Sequence, residues 1–175
     1  MPIKNRRLFE AKDLKRILGL KPETVYLWLR TYRLFEPTVR ADRRGKNKYS
    51  LLDLVRFGVI RELDSFGMRL DIIKRVFNDL EEEKVWDTLA KERKKFDEEG
   101  AVILIDRGKY LPPFGPTAEF STMVMTGRCA AEQIADDLIY PDWAGGRVRY
   151  YTSSLIVNVR DIVVFIETET GEKLS

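Results

Sequence analysis

The chain contains no histidine, an absence that excludes a whole class of chemistry. Without imidazole there is no His-based catalytic triad, no usual proton shuttle near neutral pH and none of the commonest zinc ligand. A single cysteine, Cys129, excludes an intrachain disulfide. With no histidine to help it, a thiolate metal site or an iron–sulfur cluster held within one chain is excluded too. A lone cysteine fits a reducing cytoplasm. No apolar run approaches the ~20 residues needed to cross a membrane. The opening Met-Pro-Ile-Lys-Asn-Arg-Arg is charged without a following apolar stretch of signal-peptide length, so a cytoplasmic protein with no membrane contact is expected.

What is present describes a soluble chain of 175 residues, 44% apolar and 34% charged, long enough for one domain or two small ones. The net charge of +3 conceals an asymmetry. Residues 1–80 carry 19 Lys or Arg against 10 Asp or Glu, whereas residues 81–175 carry 12 against 18. A basic head on an acidic body implies that the head alone meets a polyanion.

Leu14, Ile17 and Leu18 recur at three and four residues, predicting a helix over Ala11–Leu18 that stops at Gly19. Pro22 suits the first turn of a second helix, running to about Tyr32. Val25, Leu29 and Tyr32 share one face of it with Trp28 beside them. Glu23, Thr24, Tyr26, Leu27 and Arg30 cover the remaining surface. Beyond Pro37, the run Thr38–Tyr49 holds Arg40, Arg43, Arg44, Gly45, Lys46, Asn47 and Lys48, a pattern that predicts a basic hairpin with its tip near Asp42–Lys46. Ser50 and Asp53 signal the start of a third helix, with Leu54, Phe57, Ile60 and Leu63 inward and an end at Gly67. A fourth begins near Leu70 and turns Ile73, Val76, Phe77 and Leu80 inward. Together these make a mainly α winged helix-turn-helix domain over residues 1–80.

A charged helix over Lys84–Glu99 is expected next, with Val85, Trp86, Leu89 and Phe96 as a partial apolar seam. It is assigned as a connector or dimerisation helix over residues 81–99. Gly100 opens a different composition, a small α+β domain over residues 100–175. Strands are expected at Ala101–Asp106, Ser121–Met125 and Arg147–Val157, with a Pro-rich loop at Lys109–Thr117 and a helix over Gly127–Ile139. In the last segment Asn158 and Asp161 predict a helix through Thr168, closed by Gly171. The β-branched Ile162, Val163, Val164 and Ile166 argue for a strand instead, and the helix is narrowly preferred.

The Pro-x-Thr-x-x-x-Trp-x-Arg-x-Tyr spacing of Pro22, Thr24, Trp28, Arg30 and Tyr32 resembles the DNA-binding domain of the MerR family of transcriptional regulators. It is similar to the branch that includes the cobalamin-dependent photoreceptor repressors. The likeness runs without a gap through Gly45, Tyr49, Ser50, Asp53, Arg56, Arg61, Gly67 and Ile73. Several positions depart from the family pattern. Tyr26 stands where many relatives have arginine, and Asn47 takes the arginine place of a Gly-x-Arg-x-Tyr wing. Leu51, Leu52 and Val55 replace residues that are often acidic, so they are expected to pack on the C-terminal part or on a partner chain.

The resemblance implies a homodimeric transcriptional regulator on a palindromic operator that distorts promoter DNA, with RNA polymerase or another protein as a further partner. Thr24 and Tyr26 would face base edges. Lys12, Arg30, Arg40, Arg43, Arg44, Lys46, Asn47, Lys48 and Tyr49 would complete the DNA surface, the basic ones neutralising phosphates. Val85, Trp86, Leu89 and Phe96 would serve dimerisation. No cofactor, metal or enzymatic activity is expected, and no small-molecule effector is identified. The alternative is an antitoxin-like or excisionase-like DNA-binding protein whose C-terminal domain binds a protein partner.

Overall fold

The computed structural model describes residues 7–37, 47–82, 84–110, 118–125 and 149–174. The chain divides into two compact units, one formed by Met1–Lys91 with Asp161–Ser175, the other by Glu92–Arg160.

The first unit is helical. Extended Phe9 pairs with Tyr49 through two backbone hydrogen bonds of 2.9 Å, which brings the segment before the third helix beside the start of the first. Helix α1, Ala11–Leu18, buries Leu14, Ile17 and Leu18 as their spacing predicts, and Gly19 closes it with φ of 69°. That left-handed conformation favours glycine.

Helix α2, Pro22–Tyr26, does not continue as a regular helix to Tyr32. From Leu27 to Thr31 it widens into a π-helical turn, in which the Tyr32 amide donates to the Leu27 carbonyl five residues back. The wider turn keeps the bulky neighbours Trp28 and Leu29 both directed inward.

Helix α3, Leu51–Ser65, starts at the predicted cap. The Asp53 amide donates to Ser50 Oγ and the Ser50 amide to Asp53 Oδ2, at 3.1 and 2.8 Å. It is buried on nearly every side through Ile60 and forms the centre of the unit. Helix α4, Leu70–Glu82, adds Ile73, Val76, Phe77 and Leu80. A chain of aromatic contacts links the helices: Tyr49 meets Phe57 edge-on at 5.3 Å, Phe57 meets Phe35 at 5.0 Å, and Phe77 lies 5.5 Å from Trp86.

The single charged helix expected over Lys84–Glu99 is two. After a turn with Lys84 at φ 54°, α5 spans Val85–Lys91. A break at Glu92, with ψ of 25°, separates it from α6, Arg93–Glu99. Val85, Trp86 and Leu89 anchor α5, but the sequence supplies no further apolar residue for packing until Phe96 apart from Ala90. A short helix without an apolar face has little to hold it straight.

Helix α7, Val159–Thr170, is the helix that Asn158 and Gly171 imply, and Gly171 has φ of 70°. From Asp161 onward it belongs to the first unit, whereas the sequence grouped it with residues 100–175. Val163 and Ile166 are buried, and Ile162 and Ile166 approach Gly58 in the middle of α3. Arg16 pairs with Glu169 at 3.9 Å, and the Arg7 guanidinium donates to the Thr170 carbonyl at 3.3 Å. Glu167 is buried and accepts from the Leu174 amide at 2.8 Å, which folds the tail back. Leu51 and Val55 are buried and Leu52 half-buried. Val55 lies one turn before Gly58 on the side that meets α7.

The second unit contains a three-stranded antiparallel sheet in the order β2-β1-β3, with β1 at Val102–Tyr110, β2 at Ala118–Met125 and β3 at Arg149–Asn158. Val102 pairs with Met125 on one side and Asn158 on the other. Register slips between Arg107 and Gly108, which face Ser153 and Tyr151, so Thr152 is the extra residue of a bulge. All three predicted strands are present, the first two longer than expected. The amides of Val159 and Arg160 both donate to the Ala101 carbonyl, which turns β3 into α7. The expected helix Gly127–Ile139 and Cys129 lie outside the described residues.

Candidate nucleic-acid interface

Ideal helical winding of about 100° per residue places Val25, Trp28 and Leu29 on one side of α2 and its π-helical extension. All three are buried. Glu23, Tyr26, Leu27 and Arg30 occupy the opposite side and are exposed, Tyr26 at 66% and Leu27 at 40%. Thr24 falls on the flank and is half-buried. The middle of the free face is thus held by Glu23, with Leu27 and Arg30 on either side of it; the sequence reading left Glu23 and Leu27 in the undifferentiated remainder. Their 3.6-residue phase relative to Trp28 and Leu29 is the signal that could have singled them out.

Beside this face lies an open concavity of about 350 Å³. Lys12 from α1, Tyr26 and Arg30 from the second helix, and Asn47 and Tyr49 from the segment preceding α3 all line it, with Val25 and Leu29 as apolar wall. Five predicted site residues are therefore brought together by the Phe9–Tyr49 pairing, which sets residues 47–49 against the first two helices. Lys12 is exposed and paired at 3.4 Å with exposed Glu10, a contact weak enough to exchange for another anion. Lys48 is half-buried and does not line the concavity. Arg40, Arg43, Arg44 and Lys46 lie outside the described residues.

Tyr49 is buried to within 2% of its surface. Burial pushes its phenol above the ordinary 10.0, and Asp53 adds to the rise. A hydrogen bond with the Asn47 side chain and the charge of Arg30 oppose it. The hydroxyl is therefore protonated at neutral pH and able to donate. Arg30 stands close enough to the phenol to be felt, so cation, amide and hydroxyl converge on the same concavity. Away from the concavity, at the C-terminal end of α1, the Arg61 guanidinium donates to the Leu18 carbonyl at 3.0 Å and satisfies that helix end.

Arg56, matched above only as part of a pattern, is a buried strut. Its guanidinium contacts Asp53 at 3.4 Å and Glu81 at 2.8 Å and lies over the rings of Phe35 and Trp86 at 5.5 and 5.4 Å. It thereby fixes α3 against α4 and α5.

The residues expected to form a dimer seam are placed differently. Val85, Trp86 and Leu89 are buried within the chain's own first unit, with Trp86 between Phe77 and Arg56. Apolar residues on one face of α5 found a partner in α4 of the same chain, which periodicity alone does not distinguish from a partner in another copy. The side chain of Phe96 lies outside the described residues.

Among the described residues no helix is long and apolar enough to cross a membrane, and no group of three or more carboxylates or thiols is arranged to hold a metal ion. Residues 9–80 match a family model described as MerR HTH family regulatory protein. No curated protein matches the chain.

Proposed function

We propose that the chain, whose residues 9–80 match the MerR HTH regulatory family, is a DNA-binding transcriptional regulator that acts as a homodimer on a palindromic operator and distorts the promoter it binds. The observation that carries this reading is the juxtaposition of the exposed face of α2 with the concavity of Lys12, Arg30, Asn47 and Tyr49. An α-helix is of a size to enter the major groove, and the flanking cations and hydroxyl are suited to the phosphates on its rim. Tyr26 supplies a ring and a hydroxyl toward base edges. Lys12 and Arg30, with Arg40, Arg43, Arg44, Lys46 and Lys48 of the basic segment, neutralise phosphate charge. With Val85, Trp86 and Leu89 packed within the chain, the second copy meets it elsewhere. RNA polymerase is the partner that promoter distortion would serve.

The test is binding of the full chain to duplex DNA across a range of salt. Log affinity is expected to fall linearly with log salt, each neutralised phosphate adding roughly 0.9 to the slope. Arg30→Ala is expected to weaken all duplexes alike and to reduce the slope by about 1. Affinity independent of salt would contradict the reading. A complex containing one chain per operator, by mass measurement, would contradict the dimer.

A further inference from the structure

Resting on the DNA reading, we infer that Glu23, Tyr26 and Leu27 form a base-reading stripe whose apolar part takes thymine methyl groups and whose carboxylate takes a base amino group. The stripe lies on the exposed side of α2 and the start of its π-helical extension: Glu23 and Leu27 lie one helical turn apart, and Tyr26 adjoins Leu27. Two large apolar side chains adjacent in sequence are left to water here, on the side of the helix turned away from the core. A hydrocarbon surface gains nothing from phosphate, whereas the major groove offers one hydrocarbon group, the thymine C5 methyl. Leu27 and the ring of Tyr26 are matched to it.

Glu23 sharpens the assignment. A carboxylate in the middle of a face that meets a polyanion is repelled by the backbone, so its placement is favourable only opposite a donor. In the major groove the donors are exocyclic amino groups, and cytosine N4 is the usual partner of a carboxylate. Arg30, one turn beyond Tyr26, shares the concavity with Lys12, and as a cation it belongs with the phosphate contacts. The half-site read by this stripe therefore combines cytosine with neighbouring thymine.

The experiment begins by selecting duplexes from a randomised pool with the full-length protein at low salt. The selected duplex is then remade with deoxyuridine in place of thymidine, position by position, since uracil pairs identically and lacks only the methyl. Loss of each contacted methyl is expected to weaken binding about fourfold. Leu27→Ala is expected to bring the thymine and uracil duplexes to within about twofold at one position. Glu23→Ala should relax the preference at a cytosine of the same half-site. All three side chains are outside the core, so the variants should melt like the parent. Equal binding of thymine and uracil duplexes by the parent overturns the stripe while leaving DNA binding intact, as does full discrimination retained by Leu27→Ala. Unchanged cytosine preference in Glu23→Ala overturns its assignment. A pool from which no duplex is enriched overturns the DNA reading itself.

Discussion

Gly58 in α3 and Ile162 in α7 stand so close that a Cβ built on the glycine would lie 2.5 Å from Ile162 Cγ2. Ile166 Cδ1 would be next, at 3.6 Å. A glycine inside a helix is ordinarily unfavourable by roughly 0.5–1 kcal/mol relative to alanine. Here the missing side chain is the space into which the last helix fits.

Gly58→Ala is accordingly expected to destabilise the protein by about 1–3 kcal/mol, despite alanine's better helix propensity, because a branched side chain must move. Ile162→Ala in the same molecule should recover part of that loss. A denaturant-melt double-mutant cycle measures the coupling, and additive losses would mean that the two helices do not meet at this point.

Arg56 bridges Asp53 and Glu81 between two aromatic rings. Arg56→Ala leaves the fully buried Asp53 carboxylate without this cation, and a loss of about 3 kcal/mol in chemical denaturation is expected, at the lower end for broken buried pairs because Glu81 is half-exposed. Arg56→Lys should not restore it, since an ammonium lacks the planar fork that reaches both acids while stacking on Phe35 and Trp86.

Tyr49 makes stability depend on alkali. Its folded-state pKa is raised above the ordinary 10.0, so the unfolded chain releases the phenolic proton first as pH rises. The contribution is whole below pH 10.0 and declines as pH climbs through and past that value. Tyr49→Phe should flatten the fall in stability on the alkaline side in melts run from neutral pH upward. A parent whose stability is flat there would show that the phenol is not held neutral.

Leu89 discriminates packing within the chain from packing between copies. Leu89→Ala is expected to cost about 2–5 kcal/mol independently of protein concentration, because its surroundings belong to the same molecule. Were the residue part of a dimer seam, the loss would grow on dilution, and melts at two concentrations tell the cases apart.

Local signals were legible in the residues. The limits of α1 follow from Leu14, Ile17, Leu18 and Gly19, and the start of α3 from Ser50 and Asp53, because each depends on neighbours within a turn. The helix at the end of the chain was readable against its β-branched content from Asn158, Asp161 and Gly171. Its destination was not. Nothing near Ile162 says that Gly58, about a hundred positions earlier, is its counterpart, although the apolar Leu51 and Val55 announced that α3 needed a second cover. On the second helix, Tyr26, Arg30 and Thr24 were singled out by side-chain type, and the structure leaves the first two exposed and Thr24 half-buried. Leu27 was placed on the free surface but given no role, because an apolar side chain carries no charge or hydrogen-bonding group that marks it for DNA.

The Arg7–Thr170 hydrogen bond joins residues 163 apart in sequence, and everything between Glu92 and Arg160 is a separate unit. In time rather than space, this means that the head is begun first and finished last during synthesis. While α7 is still being made, the side of α3 around Val55 and Gly58 has no cover. The first unit becomes complete only after the second unit has passed through the ribosome.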